Sequence, residues 1–244
     1  MDVYGREFAV TAKDDASPLT QADLRSHEII VDGLRSMDAG WPVLSEEAAD
    51  IPFAERSKWT TYWLVDPLDG TKEFVSRNGE FTVNIALIRD GRPIFGVVYV
   101  PVTATSFVGV VGEGAWKQIR EGASTSLRPT LPAPRHARVV GSRSHRDEAT
   151  NRYLANLGDH ELISMGSSLK FCLVAEGRAD LYPRLGPTSE WDTAAAQAVV
   201  EAAGGAVVLL DGSPLRYNTK ADILNPHFLV FADRGRDWLA PLKK

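Results

Sequence analysis

Cysteine is nearly absent from this chain of 244 residues, because Cys172 is the only one. A single cysteine excludes a disulfide framework within the chain, and an unpaired thiol is typical of a reducing compartment. The first residues contain no basic segment followed by an apolar stretch, so we expect a cytoplasmic protein. No apolar run approaches the ~20 residues that a membrane-spanning helix needs, so no membrane span is expected.

Positive charge is also scarce. The chain has 27 Lys and Arg residues against 32 Asp and Glu residues, which gives a formal net charge of −5. Proteins that bind nucleic acid polymers usually present a basic face, so a nucleic acid partner is not expected. By contrast, the apolar content of 44% and the six tryptophans are those of a folded globular protein and exclude a disordered chain.

Hydrophobic periodicity predicts alternating strands and helices. In the first half we expect a helix over residues 18–38, beginning with a capping box from Thr20 to Asp23. Residues 128–135 contain three prolines, which indicates a stiff connection. This connection predicts an N-terminal α+β half (residues 1–127) and a C-terminal α/β half (residues 136–244). The other elements expected are strands over residues 62–65, 81–88, 94–100, 106–111, 137–140, 162–164, 180–182, 206–210 and 228–232, and helices over residues 147–157, 167–176 and 191–203.

Two carboxylates stand three residues apart directly after the apolar strand at residues 62–65. We expect Pro67 to bend the chain, so that Asp66, Asp69 and the Leu68 carbonyl face one point. Mg²⁺ prefers such oxygen ligands. The following Gly70 and Thr71 open a short predicted helix, whose free amides would bind phosphate oxygens. The spacing therefore predicts adjacent metal and phosphate sites, although the spacing alone would also fit an Asp-rich turn.

Four sequence runs together extend over most of the chain. The runs are KDDASPLTQAD at residues 13–23, VLSEE at 43–47, DPLDGTKEF at 66–74 and EWDTAA at 190–195. In this order and spacing they are similar to the lithium-sensitive, Mg²⁺-dependent phosphatases that include inositol monophosphatases and fructose bisphosphatases. Within that superfamily the chain resembles the CysQ-type 3'(2'),5'-bisphosphate nucleotidases. The resemblance implies an α/β (α+β) fold, a layered αβαβα sandwich of the sugar-phosphatase type.

The resemblance also implies a role for each acid. Asp23 and Thr71 would orient and deprotonate the attacking water. Glu47 is an alternative to Glu46 as a ligand, and Asp192 would also suit a helix N-terminus without any metal. Asp23 would equally serve only as part of the helix cap. The ligands implied for two or three Mg²⁺ ions are Glu46, Asp66, the Leu68 carbonyl, Asp69 and Asp192.

Substrate contacts are implied by the same resemblance. A loop of small residues after the strand at 137–140 would suit a second phosphate, and Lys170 would add positive charge. His145 would bind or stack on a base; it could instead be a solvated loop residue, and Lys170 could lie on a polar helix face. The role of Arg184 as a phosphate or base contact is equally open. The implied substrate-binding residues are Gly70, Thr71, Ser142, His145, Gly166, Lys170 and Arg184.

The reaction implied is hydrolysis of the 3'-phosphate of adenosine 3',5'-bisphosphate to AMP and phosphate, which clears a by-product of sulfate activation. Metal-bound water has a lowered pKa, and no cysteine or serine nucleophile motif is present, so direct attack by water is expected. The expected partner is this small molecule, bound by a monomer or homodimer, with inhibition by lithium. Two alternatives remain: an inositol monophosphatase or fructose-1,6-bisphosphatase activity, and a nucleotide sensor without catalysis.

Overall fold

The computed structural model describes residues 1–5, 10–12, 18–37, 39–141 and 148–243. Its strands are β1 (Val10–Ala12), β2 (Pro18–Thr20), β3 (Val43–Ser45), β4 (Thr61–Asp69), β5 (Thr82–Arg89), β6 (Arg92–Val100), β7 (Thr105–Val110), β8 (Gly114–Ile119), β9 (Thr125–Ser126), β10 (Ala137–Gly141), β11 (His160–Ser164), β12 (Leu181–Arg184), β13 (Ala206–Leu209) and β14 (Phe228–Phe231). Its helices are α1 (Gln21–Ser36), α2 (Phe53–Arg56), α3 (Thr71–Val75), α4 (Glu148–Leu157), α5 (Leu169–Ala175) and α6 (Glu190–Ala202), followed by a 3₁₀ helix at Ala240–Lys243.

The first sheet has seven strands in the order β3-β4-β5-β6-β7-β8-β9. β3 pairs with β4 in parallel, and the later neighbours are antiparallel. Residues Tyr62 to Leu68 of β4 are buried on both faces of the strand. A strand buried on both faces needs a layer on each side. Here α1 packs against β4 on one face of the sheet, and α6 packs against it on the other.

Helix α6 lies unusually close to this sheet because glycines face it. A Cβ atom built on Gly96 would stand 2.1 Å from the Ala195 carbonyl oxygen, and one on Gly109 would stand 2.5 Å from Val199 Cα. Such distances exclude any side chain at these two positions unless the helix moves. The glycines of β6 and β7 therefore fix the position of α6, including its first turn, relative to the sheet.

The second sheet has five strands in the order β11-β10-β12-β14-β13. Helix α5 packs against α6 and against this sheet, so both helices lie between the two sheets. On the outer face, Tyr153 and Leu154 of α4 pack with Trp238 over the sheet. The layers are helix, sheet, helix, sheet and helix, which confirms the expected αβαβα sandwich.

Most predicted elements lie within three residues of their observed bounds, but two expectations were wrong. Residues 18–20 form β2 rather than the start of the helix, so α1 begins after Thr20, which caps it in the predicted capping box with Asp23. The strand predicted to end at residue 65 continues to Asp69, and its pairing with β5 shifts register between Asp66 and Asp69, on either side of Pro67. Proline has no N–H to donate, and a register shift accommodates it within a strand.

Several short elements were not predicted, because runs of two to six residues carry too little periodicity. They are β1, β3, α2, β8, β9 and the last 3₁₀ helix. In residues 128–135 no helix or strand is assigned, with the seven-stranded sheet before that segment and the five-stranded sheet after it. The division into two halves stays a prediction. In the described ranges, none of the helices is long and apolar enough to cross a membrane.

Candidate active site

Two of the predicted acids lie side by side because of the parallel pairing of β3 with β4. Ser45 is opposite Val65 in this ladder, and the Glu46 amide donates to the Val65 carbonyl at 3.1 Å. Glu46 and Asp66 are the next residues of the two parallel strands. They therefore leave the ladder at the same edge of the sheet, and Asp69 follows at the end of β4.

A fourth acid approaches from α6. Asp192 lies in the first turn of this helix, where its Oδ2 accepts hydrogen bonds from the Ser189 amide at 2.9 Å and from Thr188 Oγ1 at 2.8 Å. These contacts form a capping box, so Asp192 does stabilise the N-terminus of α6. That role occupies Oδ2 only, and it holds Asp192 at the end of α6 that faces β4.

The neighbouring acids raise the pKa of Asp66 and of Asp192. Burial raises the pKa of Asp66 well above its ordinary range, and the negative charges of Glu46, Asp69 and Asp192 raise it further, while only a hydrogen bond from the Leu68 amide lowers it. Burial and the neighbouring Asp69 raise the pKa of Asp192 to about 7. Buried acids that repel one another are stabilised by a bound cation. The donor set therefore fits a hard divalent cation.

Each of three acids has one oxygen held by the protein. Asp66 Oδ1 accepts from the Leu68 amide at 2.9 Å, and Asp69 Oδ2 accepts from the Ser168 amide at 2.6 Å. Within the described ranges, no donor reaches Asp66 Oδ2, Asp69 Oδ1 or Asp192 Oδ1, and none of these acids pairs with Lys or Arg. Over the same ranges, no group of three His, Cys, Asp or Glu side chains lies close enough together to hold a metal ion. Like charges repel, so neighbouring carboxylates do not converge on their own.

A cleft of about 130 Å³ lies beside these acids. Six predicted site residues line it: Asp69, Gly70, Gly166, Lys170, Arg184 and Asp192. The sequence analysis did not single out the other residues of the lining, which are Lys72, Glu73, Ser167, Ser168, Phe171, Tyr182, Thr188 and Thr193. Most of these residues lie within two positions of a predicted site residue, and this proximity in sequence could have identified them.

The two cations predicted as substrate contacts donate to main-chain carbonyls instead of to the acids. Lys170 Nζ donates to the Ser167 carbonyl at 2.5 Å and lies 5.5 Å from the centre of the Tyr182 ring. Burial lowers the pKa of Lys170 to about 8, although Asp69 opposes this. Arg184 donates to the Pro187 carbonyl, while its buried Nε has no partner in the described part of the chain. These two positive charges remain available to an anionic ligand.

Two glycines of the predicted site shape the cleft. Gly70 has φ of +93°, a left-handed conformation that favours glycine. A Cβ atom on Gly166 would stand 2.8 Å from Glu73 Cγ and 2.8 Å from the Glu80 carbonyl oxygen, and the Gly166 amide donates to Glu80 Oε2 at 2.8 Å. The segment before α5 therefore packs directly on the residues that follow β4.

Among the predicted residues that the structure describes, Asp23 and Thr71 lie outside the lining of this cleft, as do Glu46, Asp66 and Leu68. Asp23 is buried, and its Oδ2 accepts from the amide and hydroxyl of Thr20 at 2.9 and 2.7 Å, as the helix-cap alternative requires. Thr71 Oγ1 donates to the Leu68 carbonyl at 3.4 Å. Asp23 and Thr71 are not hydrogen-bonded to each other, although α3 packs against β2, which leads into α1. Ser142 and His145 lie outside the described residues.

Comparisons with known proteins identify the family of this chain. The model of the inositol monophosphatase family matches residues 1–236. The chain is 52% identical to the 3'(2'),5'-bisphosphate nucleotidase CysQ of Escherichia coli K12, over 94% of this chain and 92% of that one. The CysQ protein of Haemophilus influenzae is 36% identical over 96% of this chain and 88% of its own length.

Solved structures show the same relationship. The crystal structure of CysQ from Bacteroides thetaiotaomicron matches with a TM-score of 0.81 and 49% identity, covering 91% of this chain and 87% of that one. The suhB protein of Bartonella henselae matches with a TM-score of 0.80 and 26% identity, covering 99% and 91% of the two chains. The family model, the relatives and the shared fold agree: this chain belongs to the inositol monophosphatase family.

Proposed function

We propose that this chain is a phosphatase that removes the 3'-phosphate of adenosine 3',5'-bisphosphate and yields AMP and phosphate. The observation that carries the proposal is the arrangement of the cleft. Among the described residues, Asp69 and Asp192 line it without a salt bridge to Lys or Arg, and Lys170 and Arg184 line it with nitrogens that donate to main-chain carbonyls. A ligand with two phosphates, one bound with a metal and one bound by protein cations, suits this arrangement. The similarity to CysQ nucleotidases supports the same substrate.

Members of this family are generally Mg²⁺-dependent, and we propose two or three ions here. Their ligands would be Glu46, Asp66, the Leu68 carbonyl, Asp69 and Asp192. Two of these acids have a raised pKa and an oxygen that no described residue uses, which favours the assignment. When bound, Mg²⁺ makes water more acidic and offsets the negative charge of the phosphate ester.

The chain's own residues have two further tasks in this reaction. Thr71, at the start of α3, would bind the attacking water through its hydroxyl, and Asp23 would accept the proton. The water oxygen bonds to phosphorus, the bond from phosphorus to the 3' oxygen breaks, and that oxygen takes up a proton as AMP leaves. Asp23 is suited to this task because it is buried and only its Oδ2 is occupied by the helix cap.

The other phosphate would lie against the segment before α5. Gly166 leaves room for it, and Lys170 and Arg184 would supply the positive charge. Ser142 and His145, from the loop after β10, would add contacts to the nucleotide. Selectivity for the nucleotide would depend on these residues, because the same scaffold also supports inositol monophosphatases.

The cellular context is also a proposal. We infer a cytoplasmic enzyme that clears a by-product of sulfate activation, is inhibited by lithium and acts as a monomer or homodimer. The single cysteine favours a reducing compartment. Its burial in α5 makes a structural role the natural assignment for this thiol.

Phosphate release tests the proposal directly. The assay compares adenosine 3',5'-bisphosphate, inositol 1-phosphate and fructose 1,6-bisphosphate in the presence of Mg²⁺. We expect kcat/KM to be at least ~100-fold higher for the nucleotide, about 2.7 kcal/mol of transition-state discrimination. An Asp69→Asn variant prepared in the same way controls for contaminating phosphatases. Equal rates on the three esters would identify a broad phosphatase, and nucleotide binding without turnover would identify a sensor.

A further inference from the structure

Asp69 Oδ2 is held by three buried polar residues: Thr82 Oγ1 donates to it at 3.4 Å, and Asn84 and Ser168 bind it from distant parts of the chain. Asn84 lies on β5 and is 0% exposed, and Ser168 precedes α5 and is 2% exposed. Asn84 Nδ2 donates to Ser168 Oγ at 2.9 Å and to Asp69 Oδ2 at 3.3 Å. The amide has two hydrogens and meets two acceptors here. Its orientation is therefore settled, because the flipped amide would direct its oxygen at a carboxylate.

Ser168 connects two of the acids. Its amide donates to Asp69 Oδ2 at 2.6 Å, and its Oγ lies 2.7 Å from the same oxygen. The same Oγ lies 2.5 Å from the Asp192 carbonyl in the first turn of α6. One hydroxyl therefore contacts an acid at the end of β4 and the main chain of an acid on α6. The hydroxyl has one hydrogen and donates to one of these oxygens at a time. When it donates to the Asp192 carbonyl, the Ser168 amide still donates to Asp69, so Ser168 joins the two elements that carry these acids.

The free-energy cost of burying the Asn84 amide indicates that this residue has a function other than core packing. Asn84 lies directly opposite Asp66 in the β4–β5 ladder. Its Oδ1 is buried and has no hydrogen-bond partner in the described ranges. An unsatisfied buried oxygen is unfavourable, and an apolar side chain would fill this position without that penalty. The amide is retained where its nitrogen orients a carboxylate.

We propose that Asn84 and Ser168 are positioning residues that hold Asp69 Oδ2 so that Oδ1 remains available to a divalent cation at a set distance from Asp192. The inference rests on the proposed Mg²⁺ site. Partners that orient a ligating carboxylate typically change metal affinity 10- to 100-fold when removed. Neither residue touches the reacting atoms in this account, so both act through Asp69.

Mg²⁺ binding measured by isothermal titration calorimetry tests this inference without turnover. We expect Ser168→Ala and Asn84→Ala each to raise the Kd for Mg²⁺ by about tenfold. The double variant is expected to raise it less than the product of the two effects, because both residues act on one oxygen. In kinetics, the Mg²⁺ concentration for half-maximal rate should rise with the Kd. In Asn84→Ala, whose residue does not line the cleft, KM for the nucleotide should change less than twofold.

A matched control removes a buried hydroxyl elsewhere. Thr105 on β7 is 5% exposed, and its hydroxyl accepts only from Thr103. Thr105→Val should leave the Kd for Mg²⁺ unchanged, whatever it does to the melting temperature in EDTA. If Ser168→Ala does not melt cooperatively, Asn84→Ala decides alone, with Asn84→Ser as its milder form.

Different results would contradict the Mg²⁺ site and the positioning role of Asn84 and Ser168. A wild-type protein that binds no Mg²⁺ would contradict the metal site itself. A wild-type protein that binds Mg²⁺, with variants whose Kd lies within twofold of it, would overturn the positioning role. Equal losses of Mg²⁺ affinity in Thr105→Val and Ser168→Ala would also overturn it, because a general loss of stability would then explain both.

Discussion

Two buried acidic sites in this molecule are built in opposite ways. In the second sheet, Asp180 is 1% exposed at its side chain, and Arg138 holds it by contacts of 2.6 and 3.0 Å from NH2 and Nε. At the end of β4, Asp66 is equally buried, but its nearest charges are Glu46, Asp69 and Asp192. A carboxylate that stabilises the fold has its cation within the chain. For the acids at the end of β4, we propose that the cation comes from outside the chain.

Removal of one charge from the cluster should have the largest effect on catalysis. We expect Asp66→Asn to lower kcat/KM for adenosine 3',5'-bisphosphate about a thousandfold, or about 4 kcal/mol, because the amide keeps the shape but not the charge. Initial rates over a range of Mg²⁺ concentrations check this, with circular dichroism to confirm the fold. Turnover within tenfold of wild type would contradict the metal assignment.

The cluster also predicts an unusual pH dependence in EDTA. The pKa of Asp192 is about 7 in the folded protein and near 3.8 when unfolded, so the folded state binds more protons between these values. The free energy of unfolding should therefore be highest below pH 4 for this group and should fall as pH rises toward 7, by on the order of 4 kcal/mol. Urea denaturation at several pH values measures it. Asp192→Asn should flatten this dependence, and an unchanged slope would exclude Asp192 as its source.

The Arg138–Asp180 pair should affect stability without affecting catalysis. Asp180→Ala leaves the half-buried Arg138 without its partner and also removes the acceptor of the Arg138 amide, which lies at 2.7 Å. We expect a loss of about 2 kcal/mol in the free energy of unfolding. KM and kcat at 25 °C should stay within twofold of wild type. A selective loss of Mg²⁺ affinity in this variant would remove the distinction between the two sites.

The cations of the cleft give the smallest predicted effect and the most selective one. Lys170→Met keeps the buried stem and removes the charge, so kcat/KM for adenosine 3',5'-bisphosphate should fall about 20-fold, a little under 2 kcal/mol. The rate on 3'-AMP, which lacks the second phosphate, should change less than threefold. In the wild type this preference should decline as pH rises through about 8, where Lys170 loses its proton. Equal losses on both substrates would place Lys170 outside the second phosphate site.

Local signals made much of the fold predictable. The hairpin of β5 and β6 follows from alternating apolar residues around a turn with Asp90 and Gly91, and α1 follows from its capping box. The layers of the sandwich and the roles of the acids were predicted from the family resemblance, which rests on four motifs in a set order. The position of Glu46 beside Asp66 was not visible in the pattern, because it depends on β3, a strand of three residues.

Contacts between residues far apart in the chain could not be predicted from the sequence. Asn84 and Ser168 are 84 residues apart, and neither stands in a spacing that indicates a partner. Their hydrogen bond exists because β5 and the segment before α5 meet at the end of β4. The continuation of β4 beyond residue 65 was missed for a similar reason: the register of β4 against β5 depends on the whole strand. A motif identifies the ligating residue type, whereas the residues that orient it emerge only from the packing.

One measurement tests the central claim, that the acids at the end of β4 are kept for an external cation. It is the melting temperature of the wild type and of Asp66→Asn, each in EDTA and in Mg²⁺. The account predicts that Asp66→Asn melts above the wild type in EDTA, because one repulsive charge is gone, and that Mg²⁺ raises the melting temperature of the wild type far more than that of the variant. An Asp66→Asn variant that melts below the wild type in EDTA and responds equally to Mg²⁺ would contradict it.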